Sequence, residues 1–203
     1  MLVADYNSDT LMTFLAPEEP DSSFETKKRI TRIYKNDQTL AYHFSGIAPL
    51  DKGPIKLTAK KIEELNELLI QAGFKPELVY DPEAKFVIAY VDSFVKHPDS
   101  DHLHVAQVKI SSDKSVQIVS GSPNLRQGIK TVACLPGAIM PSGKIIWPEK
   151  LRGVDSYGMM AAPKELDLKN APDHPGMIVL PDDFGKVGET FDFIKGNELE
   201  FNN

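Results

Sequence analysis

Cysteine is nearly absent from this chain of 203 residues: Cys134 stands alone. An internal disulfide is therefore excluded, and so is a thiolate zinc cluster. A reducing, cytoplasmic setting is the expectation that follows. Long apolar runs are also missing. No window approaches the roughly 18 apolar residues of a membrane span, so none is expected. The first residues, Met1-Leu2-Val3-Ala4-Asp5, place an acid early and no basic run before an apolar stretch. That is not the pattern of a secretory signal. No repeat of fixed period and no low-complexity segment is present. A surplus of cations is lacking too: the net charge is -6. Proteins that coat nucleic acid indiscriminately carry the opposite balance, because lysine and arginine displace phosphate counterions.

The charge is unevenly spread. Residues 1–83 carry a net -4 and residues 84–203 a net -2, but Arg126 to Lys169 is locally +3. A selective site on an acidic chain fits this distribution.

Residues 1–83 read as a small mixed α+β domain. Leu2-Val3 and Thr10 to Leu15 have strand character, and Ala16 to Asp21 is a loop broken by two prolines. Ile30 to Tyr34 and Leu40 to Phe44 flank a polar turn, Lys35 to Thr39, and predict a hairpin. Thr58 is a suitable N-cap. Ile62, Leu65, Leu69 and Ala72 then fall on one helical face, and Gly73 suits the left-handed residue that ends a helix. Lys60, Glu64, Glu67 and Gln71 would form its wet face. Tyr80-Asp81-Pro82-Glu83 reads as a linker.

Residues 84–203 read as mainly β. Strands are predicted at Phe86–Val95, Leu103–Ile110, Val116–Val119, Lys130–Leu135 and Lys144–Trp147. Short strands separated by Pro-Gly and Pro-Ser-Gly turns point to a barrel or sandwich.

Several segments invite a chemical reading. His97-Pro98-Asp99-Ser100-Asp101-His102-Leu103-His104 gathers three imidazoles and two carboxylates, the ligand types of zinc or manganese. Its prolyl and aspartyl residues equally suit a turn, and only His102 and His104 would share a strand face. Gly143-Lys144 hints at a phosphate loop, but five residues separate Gly137 from Gly143 and Ile145 follows the lysine. That spacing fails the phosphate-loop test, leaving a hairpin turn with one exposed lysine. Cys134 lies in an apolar run and reads as a buried small hydrophobe. No serine sits in a Gly-x-Ser-x-Gly elbow. His43 is the only histidine of the first 83 residues, with no nucleophile or base paired to it. Neither a catalytic residue, a cofactor nor a metal site is expected. Lys150 to Met160 mixes cations, glycines, Ser156 and Met159, a combination able to approach phosphate and sugar.

Ordered motifs give these residues a context. His97-Pro98-Asp99-Ser100-Asp101-His102-Leu103 is followed by Gln117-Ile118-Val119-Ser120-Gly121-Ser122-Pro123-Asn124-Leu125. Gly137 to Gly143, Lys150 to Met160, Glu165-Leu166-Asp167-Leu168 and Gly176 to Pro181 complete the series. Residues 86–195 resemble the tRNA-binding OB-fold domain near the start of the bacterial phenylalanyl-tRNA synthetase β subunit. The same domain ends some methionyl-tRNA synthetases and occurs in free-standing tRNA-binding proteins. The whole chain resembles the free-standing YtpR-type family of Gram-positive bacteria, which has an extra N-terminal domain. The resemblance implies a five-stranded barrel with extra C-terminal elements, recognising tRNA by shape near the outer corner of the L. Shape reading suits a chain with few aromatics on its strands. By position it assigns tRNA contact to Asn124, Lys150, Arg152, Ser156 and Met159, with Lys130 and Lys144 as further cations. The chain departs from the family pattern at Ser122, where alanine is usual, and at Tyr157, where glutamate is frequent. The partner so implied is tRNA, with a homodimer as one arrangement; neither DNA nor a membrane is expected. A protein-interaction module tied to translation or to a synthetase, with weak or no RNA binding, is the alternative. An enzyme hosted by the first 83 residues has least support.

Overall fold

The computed structural model describes residues 2–7, 9–47 and 53–201. It is mostly β, with two helices among the described residues, and divides into compact units at 1–83 and 84–203.

The first unit is one sheet and one helix. Its strands are β1 (Val3–Asn7), β2 (Thr10–Phe14), β3 (Ser23–Lys27), β4 (Ile30–Lys35), β5 (Gln38–Ser45) and β6 (Gly53–Pro54), in the order β3-β4-β5-β2-β1-β6. The β4–β5 turn is tighter than the sequence suggests. Only Asn36 and Asp37 lie outside the strands, both at positive φ (48° and 64°), the two-residue turn that matches strand twist. Helix α1 (Ala59–Ala72) starts where Lys61 N–H donates to Thr58 Oγ1 (3.2 Å) and ends at Gly73, φ 78°. Its buried residues are Ile62, Leu65, Leu69 and Ala72, the four on the expected face. They pack with Tyr6, Leu11, Tyr42 and Phe44 of the sheet.

The second unit is built on a long bent strand. Strand β7 (Phe86–Lys96) pairs its first half with β10 (Lys130–Cys134) and its second half with β8 (His104–Lys109). A register shift between Val91 and Ser93 marks an irregularity in the β7–β8 ladder, the kind of defect that bends a strand and tightens its twist. Strand β9 (Ser115–Ser120) extends the sheet beyond β8. Alternation explains the nearly continuous apolar run at the start of β7. Val87, Ala89 and Val91 enter one core with Ala106, Val108 and Ile118. Ile88 enters another with Val132, Cys134, Ile178, Leu180 and Phe191. The sheet is buried on both faces, so both parities of β7 must be apolar.

The strand predicted at Lys144–Trp147 does not form. Only Ile145 bridges, to Ile139. The segment folds back on residues 137–140, with Gly137 N–H donating to the Ile146 carbonyl (2.8 Å), Ile146 N–H to the Ala138 carbonyl (2.9 Å) and Met140 N–H to the Lys144 carbonyl (2.8 Å). Pro136 and Pro148, which carry no amide hydrogen, bound this local pairing on either side. The chain instead makes a short hairpin, β11 (Glu149–Leu151) with β12 (Val154–Ser156), and then β13 (Met159–Met160) on β10. Residues 157–160 reach both edges of the curled sheet. Tyr157 N–H donates to the Gln117 carbonyl of β9 (2.8 Å), while Met159 and Met160 pair with Cys134 and Ala133. Gly158 between them has φ 134°, and a β-carbon there would lie 2.7 Å from the Cys134 carbonyl oxygen. Only glycine lets the two backbones approach this closely. This half-barrel fits an OB-like fold. A short helix α2 (Phe193–Gly196) follows.

Candidate nucleic-acid interface

The β11–β12 hairpin carries two of the assigned cations, Lys150 and Arg152. Its two-residue turn is Arg152-Gly153, at φ 45° and 85°, so the Arg152 side chain leaves from the tip. The loop after β7 fixes that tip. His97 is 4% exposed; its Nδ1 accepts from Asp99 N–H (3.0 Å) and its Nε2 lies 3.0 Å from the Leu151 carbonyl. A ring that accepts at Nδ1 must carry its proton at Nε2 to donate to Leu151. Arg152 Nη1 donates to the Asp99 carbonyl (3.0 Å). Ser100 Oγ accepts from the amides of His102 and Leu103, both 3.3 Å. The histidine- and aspartate-rich block is thus a turn that braces the hairpin. Among the described residues, no three His, Cys, Asp or Glu side chains converge as metal ligands.

Lys150 sits across the hairpin from Asp155, and their charged groups are 2.7 Å apart in an exposed pair. The hydrogen bond that Lys150 donates to Asp155 raises the ammonium pKa above the ordinary lysine value. An exposed pair of this kind is weak and exchangeable. A phosphate that approaches Lys150 competes with Asp155 for it.

Three other assigned residues are engaged inside the unit. Ser156 is 1% exposed; its Oγ accepts from Val119 N–H (3.0 Å) and donates to the Gly158 carbonyl (3.1 Å). Asn124 clamps a loop: Oδ1 accepts from Met177 N–H (3.0 Å) and Ser122 Oγ–H (2.7 Å), and Nδ2 donates to the Met177 carbonyl (2.9 Å). Lys130 Nζ donates to the carbonyls of Asp182 (2.5 Å) and Gly185 (2.8 Å). Each of the three ties one segment of the unit to another.

The last two come together elsewhere. Lys144 and Met159 line one cavity of about 690 Å³, with Met140, Lys164, Asp167 and Pro172 among its other walls. Asn124, Arg126 and His174 line a smaller cavity of about 340 Å³. The sequence does not single out Lys164, Asp167 and His174 as site residues; Lys164 is visible in it only as a member of the locally cationic stretch, and Asp167 also as part of the Glu165–Leu168 motif. The Cys134 thiol is fully buried, and burial pushes its pKa up to about 12. It is not a nucleophile at neutral pH.

Comparison with known proteins places this arrangement in a class. Residues 86–189 match the family model described as "Putative tRNA binding domain", and residues 17–81 match a domain of unknown function, DUF4479. The chain belongs to the tRNA-binding domain family. Nearly end to end, it is similar to the "Putative tRNA-binding protein YtpR" of Bacillus subtilis (strain 168). The two are 37% identical over 192 residues, 91% of this chain and 94% of that protein. It is also similar to phenylalanine–tRNA ligase β subunits. Identity is 40% over 130 residues with that of Cupriavidus pinatubonensis and 42% over 125 residues with that of Dechloromonas aromatica. Each match covers 60% of this chain but only 16% and 15% of the subunit. The likeness to the synthetases is therefore one of a domain.

Proposed function

We propose that this protein binds tRNA and catalyses no reaction, reading the folded shape of the RNA through residues 84–203. The observation that carries the proposal is the Lys150–Arg152 hairpin, latched at its tip by Asp99 and His97, in a chain of the tRNA-binding domain family. A braced cation hairpin positions phosphate contacts without paying the ordering cost of a loose loop. It carries little sequence information, which is the property shape reading requires. We read residues 84–203 as a closed OB barrel, supported by the hydrogen bonds of residues 157–160 to both sheet edges. Residues 1–83 form a separate α+β domain in this reading. The protein acts in the cytoplasm.

Contact cations in this proposal are Arg152, Lys150 and Lys144. Asn124, Lys130 and Ser156 act one layer back, by holding the loops that present them. The acidic balance of the chain makes binding selective and sensitive to salt. The test is a competition titration with fluorescent transcribed tRNA at low salt. Intact tRNA should displace the probe at lower concentration than an unstructured RNA of equal length. Equal competition defeats the shape reading. Absence of binding leaves the protein-interaction module as the account of the fold.

A further inference from the structure

The cavity beside Met159 holds one of the contact cations, Lys144, but the rest of its lining is of a different kind from the hairpin. We propose that this groove receives one unstacked nucleotide of the bound RNA, and that it favours guanine, whose Watson–Crick edge presents two adjacent hydrogen-bond donors. The inference rests on the tRNA-binding reading and adds a subsite to it.

Volume is the first argument. At about 690 Å³ the groove lies within the range of small-molecule sites and has room for a nucleotide. Its floor is the second. Met140 is 4% exposed, Met159 is half-buried beside it, and Pro172 closes the side. Thioether sulfur is polarisable and adapts to an aromatic face, and a flat base can lie on such a floor without a partner ring. This matters in a chain whose strands offer few aromatics to stack on.

The polar lining is the third argument. Lys144 and Asp167 both line the groove and both are exposed. Among the described residues neither side chain has a hydrogen-bond or ion-pair partner. Lys164, by contrast, is paired with Asp173 at 3.1 Å. An unengaged lysine suits the phosphate of an entering nucleotide. An unengaged carboxylate repels phosphate, so Asp167 does not belong to a pure phosphate site. It does suit paired donors: the adjacent N1–H and N2–H₂ of guanine, which the two carboxylate oxygens can accept together, where uracil offers only N3–H. A lysine and a carboxylate over a methionine floor therefore match a whole nucleotide better than an isolated anion. Bases free of pairing are where RNA-binding proteins read identity, and a folded tRNA presents such bases outside its helices.

Methionine methyl spectroscopy tests this on the full chain. The six methionines are labelled with ¹³C-methyl and assigned by single Met→Leu variants. Transcribed tRNA should move the Met140 and Met159 signals upfield by the ring current of the base while Met12 stays in place. GMP should move the same two signals at lower concentration than UMP, and Asp167→Asn should remove that preference. Lys144→Ala should weaken tRNA binding about five-fold while leaving the unliganded spectrum unchanged. If tRNA binds and the two methyls do not move, the groove is empty and this inference is wrong, while tRNA binding stands. If GMP and UMP act alike, the assigned role of Asp167 is wrong. If tRNA does not bind at all, the functional reading fails and the subsite falls with it.

Discussion

Replacing Ser156 with alanine separates a structural role from an RNA contact. The side chain is 1% exposed, and its hydroxyl joins Val119 N–H to the Gly158 carbonyl at 3.0 and 3.1 Å. Alanine removes one oxygen and leaves two main-chain groups without that partner at the point where residues 157–160 meet β9. An unsatisfied buried donor or acceptor costs about 1–3 kcal/mol. Little is recovered by packing, because the cavity left is smaller than a methyl group. Ser156→Ala should therefore destabilise residues 84–203 by about 1–3 kcal/mol, read as a lower urea midpoint at unchanged m. In conditions where the variant is fully folded, its tRNA affinity should stay within about two-fold of wild type, since the hydroxyl does not reach the surface. Arg152→Ala should show the reverse pattern. Its stability change should be small, because one exposed hydrogen bond to Asp99 is lost, while its tRNA affinity falls by about 1.5–3 kcal/mol, the range for a charged hydrogen bond. A Ser156→Ala protein of wild-type stability and weakened RNA binding would refute this reasoning.

Three further outcomes follow from the geometry. Asp155→Asn removes the carboxylate that competes with phosphate for Lys150, so tRNA should bind more tightly with the number of phosphate contacts, and hence the salt slope, unchanged, as measured by titration across salt. Gly158→Ala places a β-carbon 2.7 Å from the Cys134 carbonyl oxygen at a φ of 134°, and should cost about 2–5 kcal/mol through strain and overpacking, seen as loss of the folded unit or a much lower unfolding midpoint. The Cys134 thiol, pushed up to about 12 by burial, should resist an alkylating reagent at pH 8 in the native protein and react promptly in urea.

Much of the fold was legible because its signals are local. Thr58, the Ile62–Ala72 stripe and Gly73 define α1 within 16 positions of one another. The apolar run of β7 is equally plain, although its cause, a sheet buried on both faces, is not. Strand β3 escaped notice because its burial is slight and its residues, Ser23-Phe24-Glu25-Thr26-Lys27, show no apolar alternation. The predicted strand at Lys144–Trp147 pairs only locally, with residues 137–140, and does not join the sheet, because prolines on either side limit the pairing to a few residues, a constraint that propensity within the run does not register.

The site divides along the same line. Arg152 and Lys150 were legible as cations in a glycine-containing segment; Arg152 stands in the two-residue turn and Lys150 on the strand that leads into it. The internal duties of Asn124, Lys130 and Ser156 were hidden, since their partners lie 53, 52 and 37 positions away. Side chains with hydrogen-bonding capacity look available in a sequence until the fold supplies those distant carbonyls and amides. His97 shows the same effect from the other direction. Beside two histidines and two aspartates it looks like a ligand, yet Leu151, 54 positions on, takes its Nε2.

The most direct test of the central claim is the slope of log K against log salt for intact transcribed tRNA, measured for the wild type and for the Lys150→Ala/Arg152→Ala pair. Phosphate contact through the hairpin predicts binding at low salt, a steep negative slope, and a slope shallower by about two in the double variant, one contact for each cation removed. Wild type and double variant with the same affinity and the same slope would contradict it, and would take the RNA interface away from the hairpin altogether.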